Sequence, residues 1–212
     1  PHEIIRELFP KCRYFTLIGP GFADEVARGM PTIVNLGFGT ERELLPTIQA
    51  LFTADSFRVR LVRAVRILEL SAALKNIYAI GCGLADGLGY ETNTRVQLIV
   101  LAIEEIQRLF TKLRLTAGIN SAAGTIGDLI LTCNSNESRN FQFGRNLAKY
   151  SVEESLQRIK ETVEGYYTLQ SLEHLEKSSG AALPVADFVK SVIDTDDPKT
   201  VKKRFEEFIK NT

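Results

Sequence analysis

The sequence predicts an α/β portion over residues 1–65 joined to an all-α portion over residues 66–212. Three observations carry this reading. Short apolar or alternating runs of strand type occur only before residue 65, at 14–18, 32–36 and 57–62. A turn signal, Gly19-Pro20-Gly21, ends the first of them. From residue 67 onward apolar residues recur at helical spacing in one segment after another, and no convincing strand pattern returns.

Taken in order, HEIIRELF opens as a helix and YFTLI (14–18) follows as a buried strand. FADEVARG (22–29) reads as a short polar helix and TIVNL (32–36) as a second buried strand. Residues 40–51 carry Thr40 and, three positions on, Glu43, which predicts a capping box, although Pro46 limits the regularity of that helix. FRVRLV (57–62) alternates as a third strand. Helices are then expected at 67–88, 94–113, 123–132, 139–150, 152–162, 166–177, 185–193 and 198–209. Ser151 with Glu154, and Thr195 with Pro198, supply start signals for two of them.

Composition excludes several classes of function. The 212 residues are 44% hydrophobic and 25% charged, which is ordinary globular chemistry with room for a sizeable core. Lys and Arg number 26, as do Asp and Glu, so no bulk charge draws the chain to nucleic acid or to an anionic membrane. Arginines 58, 60, 63 and 66 lack the interleaved aromatics that stack bases, and read as a solvated face. Cys12, Cys82 and Cys133 lie far apart, which argues against a disulfide framework and a zinc site and fits a reducing cytoplasm. His2 and His174 have no supporting motif, so no metal site or Ser-His-Asp triad is expected. No uninterrupted apolar run reaches the roughly 18 residues of a membrane helix, and membrane insertion is not expected. Pro1 is not an initiator methionine and the opening text reads as mid-domain, so the chain is expected to be a fragment.

The chemistry-bearing stretches lie in the helical portion. SAALKNIYAIGCGLADGLGY (71–90) has G-x-G-x-x-x-G spacing, and Ile67, Leu70, Leu74, Ile77, Tyr78 and Gly81 recur at helical intervals. Its glycines are therefore expected to be packing positions in a helix rather than a phosphate loop. Lys75 stands among apolar and small residues, with Asn76 beside it. Taken alone it is either a lysine snorkelling from a half-buried helix or a group kept there for its chemistry. GTIGDLILTCNSNESRN (124–140) places Asp128 four residues before Thr132, then Ser138-Arg139-Asn140 at a new helix start. Helix-start N–H groups with a hydroxyl, an amide and a guanidinium suit a phosphate or carboxylate; an N-cap with a surface arginine gives the same text.

Together these residues resemble the NAD(P)-dependent glycerol-3-phosphate dehydrogenase family. The matching stretches are GPGFADEVARGMPT (19–32), ALKNIYAIGCGLADGLGY (73–90), GDLILTCNSNESRN (127–140), FG at 143–144 and VEGYYT (163–168), in family order and over most of the chain. The resemblance implies the C-terminal remnant of a Rossmann dinucleotide-binding domain at 1–65. It implies a mainly helical catalytic domain at 66–212, with the C-terminal fold of 6-phosphogluconate dehydrogenase. It further implies NAD or NADP as cofactor, a small phosphorylated substrate, a cytoplasmic homodimer, and interconversion of sn-glycerol 3-phosphate and dihydroxyacetone phosphate. By position Lys75 matches the catalytic lysine; the chemistry of Asp128 suits a partner that fixes the lysine and tunes its charge. Gly19, Asp128, Ser138, Arg139 and Asn140 match substrate contacts. Asn76 and Thr132 match polar positions beside the lysine, assigned here to the substrate. Ala23, Arg139 and Glu164 match cofactor contacts.

The sequence departs from the family in places. The G-x-G-x-x-[GA] fingerprint and the lysine of the N-terminal domain have no counterpart, and GFGT (37–40) lacks a third glycine. Gly21 stands where the family has Ser or Thr, and Val100-Leu101-Ala102 where it has Thr-Arg-Gly. The 212 residues alone are expected neither to bind NAD(H) tightly nor to turn over. The alternatives are a catalytically dead helical association module and a related dehydrogenase with another substrate.

Overall fold

The computed structural model describes residues 1–116 and 118–212, which form two compact units. The first comprises Pro1–Ala72 and Leu115–Leu131, the second Ala73–Arg114 and Thr132–Thr212.

The first unit runs α1 (His2–Leu8), β1 (Phe15–Ile18), α2 (Ala23–Ala27), β2 (Thr32–Phe38), α3 (Leu45–Phe52) and β3 (Phe57–Val62). β2 and β3 pair in parallel, with Val34 opposite Val59 and Leu36 opposite Leu61, and α3 makes the crossover between them. β1 pairs antiparallel on the other side of β2, with Leu17 opposite Leu36. β2 is central and buried over most of its length, so it lacks alternation and reads as one apolar run. Val34, Leu36 and Val59 form its core, with Phe15, Ile48, Phe57 and Leu61 packed around them.

The helix expected from residue 40 begins later. A 3₁₀ turn at Arg42–Leu44 precedes α3, and Thr40 does not cap it; the Thr40 hydroxyl meets Glu41 Oε1 at 3.5 Å. Pro46 lies in the first turn of α3, where its fixed φ and missing N–H are harmless, and this sets the start. The single helix expected at 123–132 is also divided. A 3₁₀ turn at Ile119–Ser121 and a π-helical turn at Ala123–Gly127 pack on β3 and β2, and α6 (Asp128–Asn134) follows.

α4 (Val65–Gly87) begins in the first unit and ends in the second. It is long and apolar enough to cross a membrane by length and composition, yet 72% of its apolar window is buried within the protein, as in a core helix. The second unit continues with α5 (Thr92–Lys112), α7 (Arg139–Leu147), α8 (Val152–Ile159) and α9 (Glu164–Thr168). α10 (Leu172–Ser179), α11 (Pro184–Thr195) and α12 (Pro198–Lys210) complete it. Among the described residues no strand follows Val62. Ser151 and Glu154 form the expected capping box of α8. Asp197, not Thr195, caps α12, accepting the Lys199 N–H at 3.1 Å, because Pro198 occupies the first helical position. The helix expected at 166–177 starts earlier and is split by a 3₁₀ turn at Leu169–Ser171.

The glycines of 81–87 are packing positions. A Cβ on Gly83 would stand 1.9 Å from the Phe141 carbonyl oxygen, and one on Gly144 would stand 1.9 Å from the Ile80 oxygen. α4 and α7 thus cross backbone against backbone, each through a glycine of the other's contact.

Candidate functional site

In the second unit, α4, α7 and α9 meet at a chain of side-chain hydrogen bonds. Asn76 on α4 donates from Nδ2 to Glu164 Oε2 at 2.9 Å, and Asn140 on α7 donates from Nδ2 to Asn76 Oδ1 at 3.0 Å. Asn140 Oδ1 in turn accepts the Gly165 N–H of α9 at 2.8 Å. Gly165 has to be glycine for this junction, because a Cβ there would fall 2.6 Å from the Asn76 carbonyl oxygen. Asn76 and Asn140 are buried, whereas Glu164 stays exposed, so the chain runs from the interior to the surface. Lys75, one residue before Asn76, is half-buried.

α7 starts beside this junction. Ser138 is its N-cap, buried, and its Oγ accepts the Phe141 N–H at 3.3 Å, as the start pattern predicts. Arg139 is exposed and its Nη1 pairs with Glu161 Oε2 at 2.9 Å. Thr132, in the same unit, is buried on α6. The structure therefore links Asn76, Asn140 and Glu164 directly and puts Ser138 and Arg139 in the first turn of the same helix as Asn140. It also gives the Asn140 amide structural partners at both ends.

The remaining candidates belong to the first unit. Asp128 is buried at the junction of the π-helical turn and α6; it lies at a helix start, not inside a regular apolar helix. The Gly19-Pro20-Gly21 turn packs beside it, since a Cβ on Gly127 would lie 3.3 Å from Pro20 Cγ. Gly19 lets β2 come close: a Cβ there would meet Val34 Cα at 2.7 Å. Ala23 opens α2 and is exposed.

Asn35 and Glu105 are among the buried polar residues that sequence pattern did not single out. Asn35, fully buried in β2, donates from Nδ2 to the Asn120 carbonyl at 2.7 Å and accepts the Gly124 N–H on Oδ1, also at 2.7 Å. Its signal was one amide in the otherwise apolar TIVNL. Glu105, fully buried on α5, accepts the Val185 N–H at the start of α11. Burial pushes its carboxyl up to about 7, against the pull of that N–H. The signal there was the pair Glu104-Glu105, of which helical phase buries the second.

No glycine-rich stretch among the described residues fits the pyrophosphate of a dinucleotide. Gly81, Gly83 and Gly87 lie inside α4. GFGT follows β2, but the Gly39 N–H donates to the Glu41 carboxylate at 3.1 Å, so the turn already holds a negative charge. Backbone N–H groups of Glu41, Thr40 and Gly39 outweigh its partial burial and hold that carboxyl below its usual range.

The family described as NAD-dependent glycerol-3-phosphate dehydrogenase C-terminus matches residues 65–203. The glycerol-3-phosphate dehydrogenase [NAD(P)+] of Actinobacillus pleuropneumoniae serotype 5b is 35% identical over 186 residues, 87% of this chain and 54% of that protein. The enzyme of the same name from Nitratidesulfovibrio vulgaris strain DP4 is 37% identical over 189 residues, 88% of this chain and 57% of that protein. The crystal structure of glycerol-3-phosphate dehydrogenase from Coxiella burnetii superposes with a TM-score of 0.89 at 27% identity, covering 98% of this chain and 63% of that one. The architecture is thus that of a helical dehydrogenase C-terminal region carrying a small sheet. The chain belongs to the NAD-dependent glycerol-3-phosphate dehydrogenase C-terminal family. It spans about half the length of the curated relatives it matches.

Proposed function

We propose that this chain is the substrate-handling part of an enzyme that interconverts sn-glycerol 3-phosphate and dihydroxyacetone phosphate with NAD or NADP. Residues 1–65 are the end of its dinucleotide-binding domain and residues 66–212 its catalytic domain. The observation that carries the reading is the hydrogen-bond chain from Asn76 through Asn140 to Gly165, with Glu164 on Asn76. It gathers residues widely separated in sequence beside Lys75 and Arg139, in a chain of this family.

Lys75 takes the proton of the secondary hydroxyl in the oxidative direction and returns it to the carbonyl oxygen in the reductive one. Asp128 is assigned the role of the carboxylate that tunes that lysine. Arg139 and the first turn of α7, with the Ser138 hydroxyl, clamp the phosphate, so that binding energy remote from the reacting carbon positions it. Glu161, paired with Arg139, is displaced from the guanidinium when phosphate arrives. Asn76, Thr132 and Asn140 are assigned to the substrate, as is Gly19; Ala23 and Glu164 are assigned to the cofactor. A nicotinamide, when bound, would accept the hydride in the oxidative direction and give it back in the reductive one. Among the described residues no glycine turn is free to cradle a pyrophosphate, and the 212-residue polypeptide by itself is expected not to turn over.

Calorimetric titration with sn-glycerol 3-phosphate tests the clamp. The polypeptide is expected to bind it, and Arg139→Ala to weaken binding by about tenfold or more, the worth of a charge-assisted bidentate contact. Equal binding by the two proteins contradicts the reading.

A further inference from the structure

The π-helical turn Ala123–Gly127 is held from several sides within the first unit. Its Gly124 N–H donates to Asn35 Oδ1 at 2.7 Å, and Asn35 Nδ2 donates to the Asn120 carbonyl at 2.7 Å and to the Arg60 carbonyl at 3.4 Å. One buried amide therefore ties β2 both to β3 and to the segment leading into the turn. Gly124 has no space for a side chain: a Cβ would stand 2.7 Å from Leu68 Cδ2 and 2.8 Å from the Ile18 carbonyl oxygen. Thr125 Oγ1 donates to the Ser121 carbonyl at 3.0 Å, and the Gly127 N–H reaches the Ala122 carbonyl at 2.8 Å, the i→i−5 bond of a π turn. Asp128 is the next residue, and its own N–H bonds back to Ala123 and Thr125.

A π turn inserts one residue into the helical register and rotates everything after it by about a third of a turn. Had 123–134 been regular α-helix, the Asp128 carboxylate would leave the helix in another direction. The wide turn is a less favourable local geometry than α and needs outside contacts to persist. Asn35 supplies one hydrogen bond to the turn, at Gly124, and one to Asn120 in the segment that leads into it, from a site with no access to water. Removing the amide leaves the Gly124 N–H and the Asn120 carbonyl without their partner, and the segment gains freedom to rewind.

We propose that Asn35 is a positioning residue for Asp128, acting through the π-helical turn. The proposal rests on the functional reading of Asp128 given above and adds a residue that reading does not contain. The effect is on direction: Asn35 touches neither substrate nor cofactor, and sets where the Asp128 carboxylate points.

The test uses Asn35→Leu, close in volume and without hydrogen bonds, beside Gln49→Leu, which deletes another side-chain bond to a carbonyl of β3, Gln49 Nε2 to the Val59 oxygen at 3.2 Å. Amide hydrogen exchange followed by mass spectrometry is read over residues 119–131 and over the strands, and sn-glycerol 3-phosphate binding is titrated in both variants and in Asp128→Asn. Asn35→Leu is expected to speed exchange at least about tenfold over 119–131 relative to the strands, and to weaken binding about as much as Asp128→Asn does. Gln49→Leu is expected to change the two regions equally and to leave binding alone. A uniform rise in exchange in Asn35→Leu, or binding kept in Asn35→Leu but lost in Asp128→Asn, overturns the positioning role alone. Binding unaffected by Asp128→Asn overturns the functional reading of Asp128 and the positioning role with it, while the exchange pattern still reports whether Asn35 holds the turn. Asn35→Asp discriminates further: its protonated form keeps both an acceptor and a donor, so acid is expected to restore slow exchange over 119–131 after correction for intrinsic rates, and its failure to do so counts against the proposal.

Discussion

Asn140 donates to Asn76 Oδ1 at 3.0 Å while its own Oδ1 accepts the Gly165 N–H at 2.8 Å, so one buried amide joins three helices. Asn140→Leu leaves an acceptor and a donor unsatisfied where water does not reach. It is expected to lower unfolding stability by about 2–4 kcal/mol in urea titration. A loss no larger than that of a surface substitution, roughly 0.5 kcal/mol, would mean that the junction is hydrated or rearranged.

Lys75 and Arg139 are expected to fail differently in any preparation that turns over dihydroxyacetone phosphate. Lys75→Ala removes the proton carrier and should lower kcat by about 10²–10⁴-fold. Arg139→Ala removes a phosphate partner and should act chiefly on KM. Near-normal kcat in Lys75→Ala rejects the proton role, whatever Arg139 does.

The glycines of α4 should differ sharply in tolerance. Ala in place of Gly gains roughly 1 kcal/mol of helix propensity. At Gly81 the new methyl would lie 3.2 Å from Val189 Cγ2, a movable side-chain atom, so Gly81→Ala is expected to be near neutral in thermal melts. At Gly83 it would lie 1.9 Å from a backbone oxygen, and the overlap wins: a loss of about 3 kcal/mol or failure to fold is expected. Equal behaviour of the two would refute the close crossing of α4 and α7.

Glu105 should make stability fall with rising pH. Its folded-state carboxyl titrates at about 7, above the ordinary 4.5, so the unfolded chain gives up this proton first. The contribution is therefore fully present below about 4.5 and is lost as pH rises to about 7, beyond which it is flat; its size is on the order of 3 kcal/mol. Glu105→Gln removes the titrating group, and the difference between the two stability–pH curves isolates it from other carboxyls. If the variant's curve parallels the parent's between pH 4.5 and 7, Glu105 does not titrate there.

Local pattern fixed much of this protein without tertiary information. The three strand runs, the phase of α4 and α5, and the Ser151–Glu154 capping box are all set by residues a few positions apart. The same reading singled out Lys75, Asp128 and the Ser138-Arg139-Asn140 turn by residue type and order. It began one helix too early, at Thr40, and gave α12 the start signal Thr195 where Asp197 is the cap, because a following proline sets the first turn in both.

Tertiary structure decided what those residues are bonded to. The antiparallel placement of β1 is absent from its four residues, since a strand's own sequence does not name its partner. Asn35 and Gly124 are 89 residues apart, Asn76 and Glu164 are 88 apart, and Glu105 and Val185 are 80 apart. A buried polar side chain is stable only when its partner is delivered, and the delivery is done by the packing of whole elements. The sequence alone therefore determined most of the elements and the chemical types of the candidate site, but not the π-helical turn or the breaks within helices. The chain had to fold before an asparagine in a strand became the brace of a π turn, and before one of two adjacent glutamates became a buried acid.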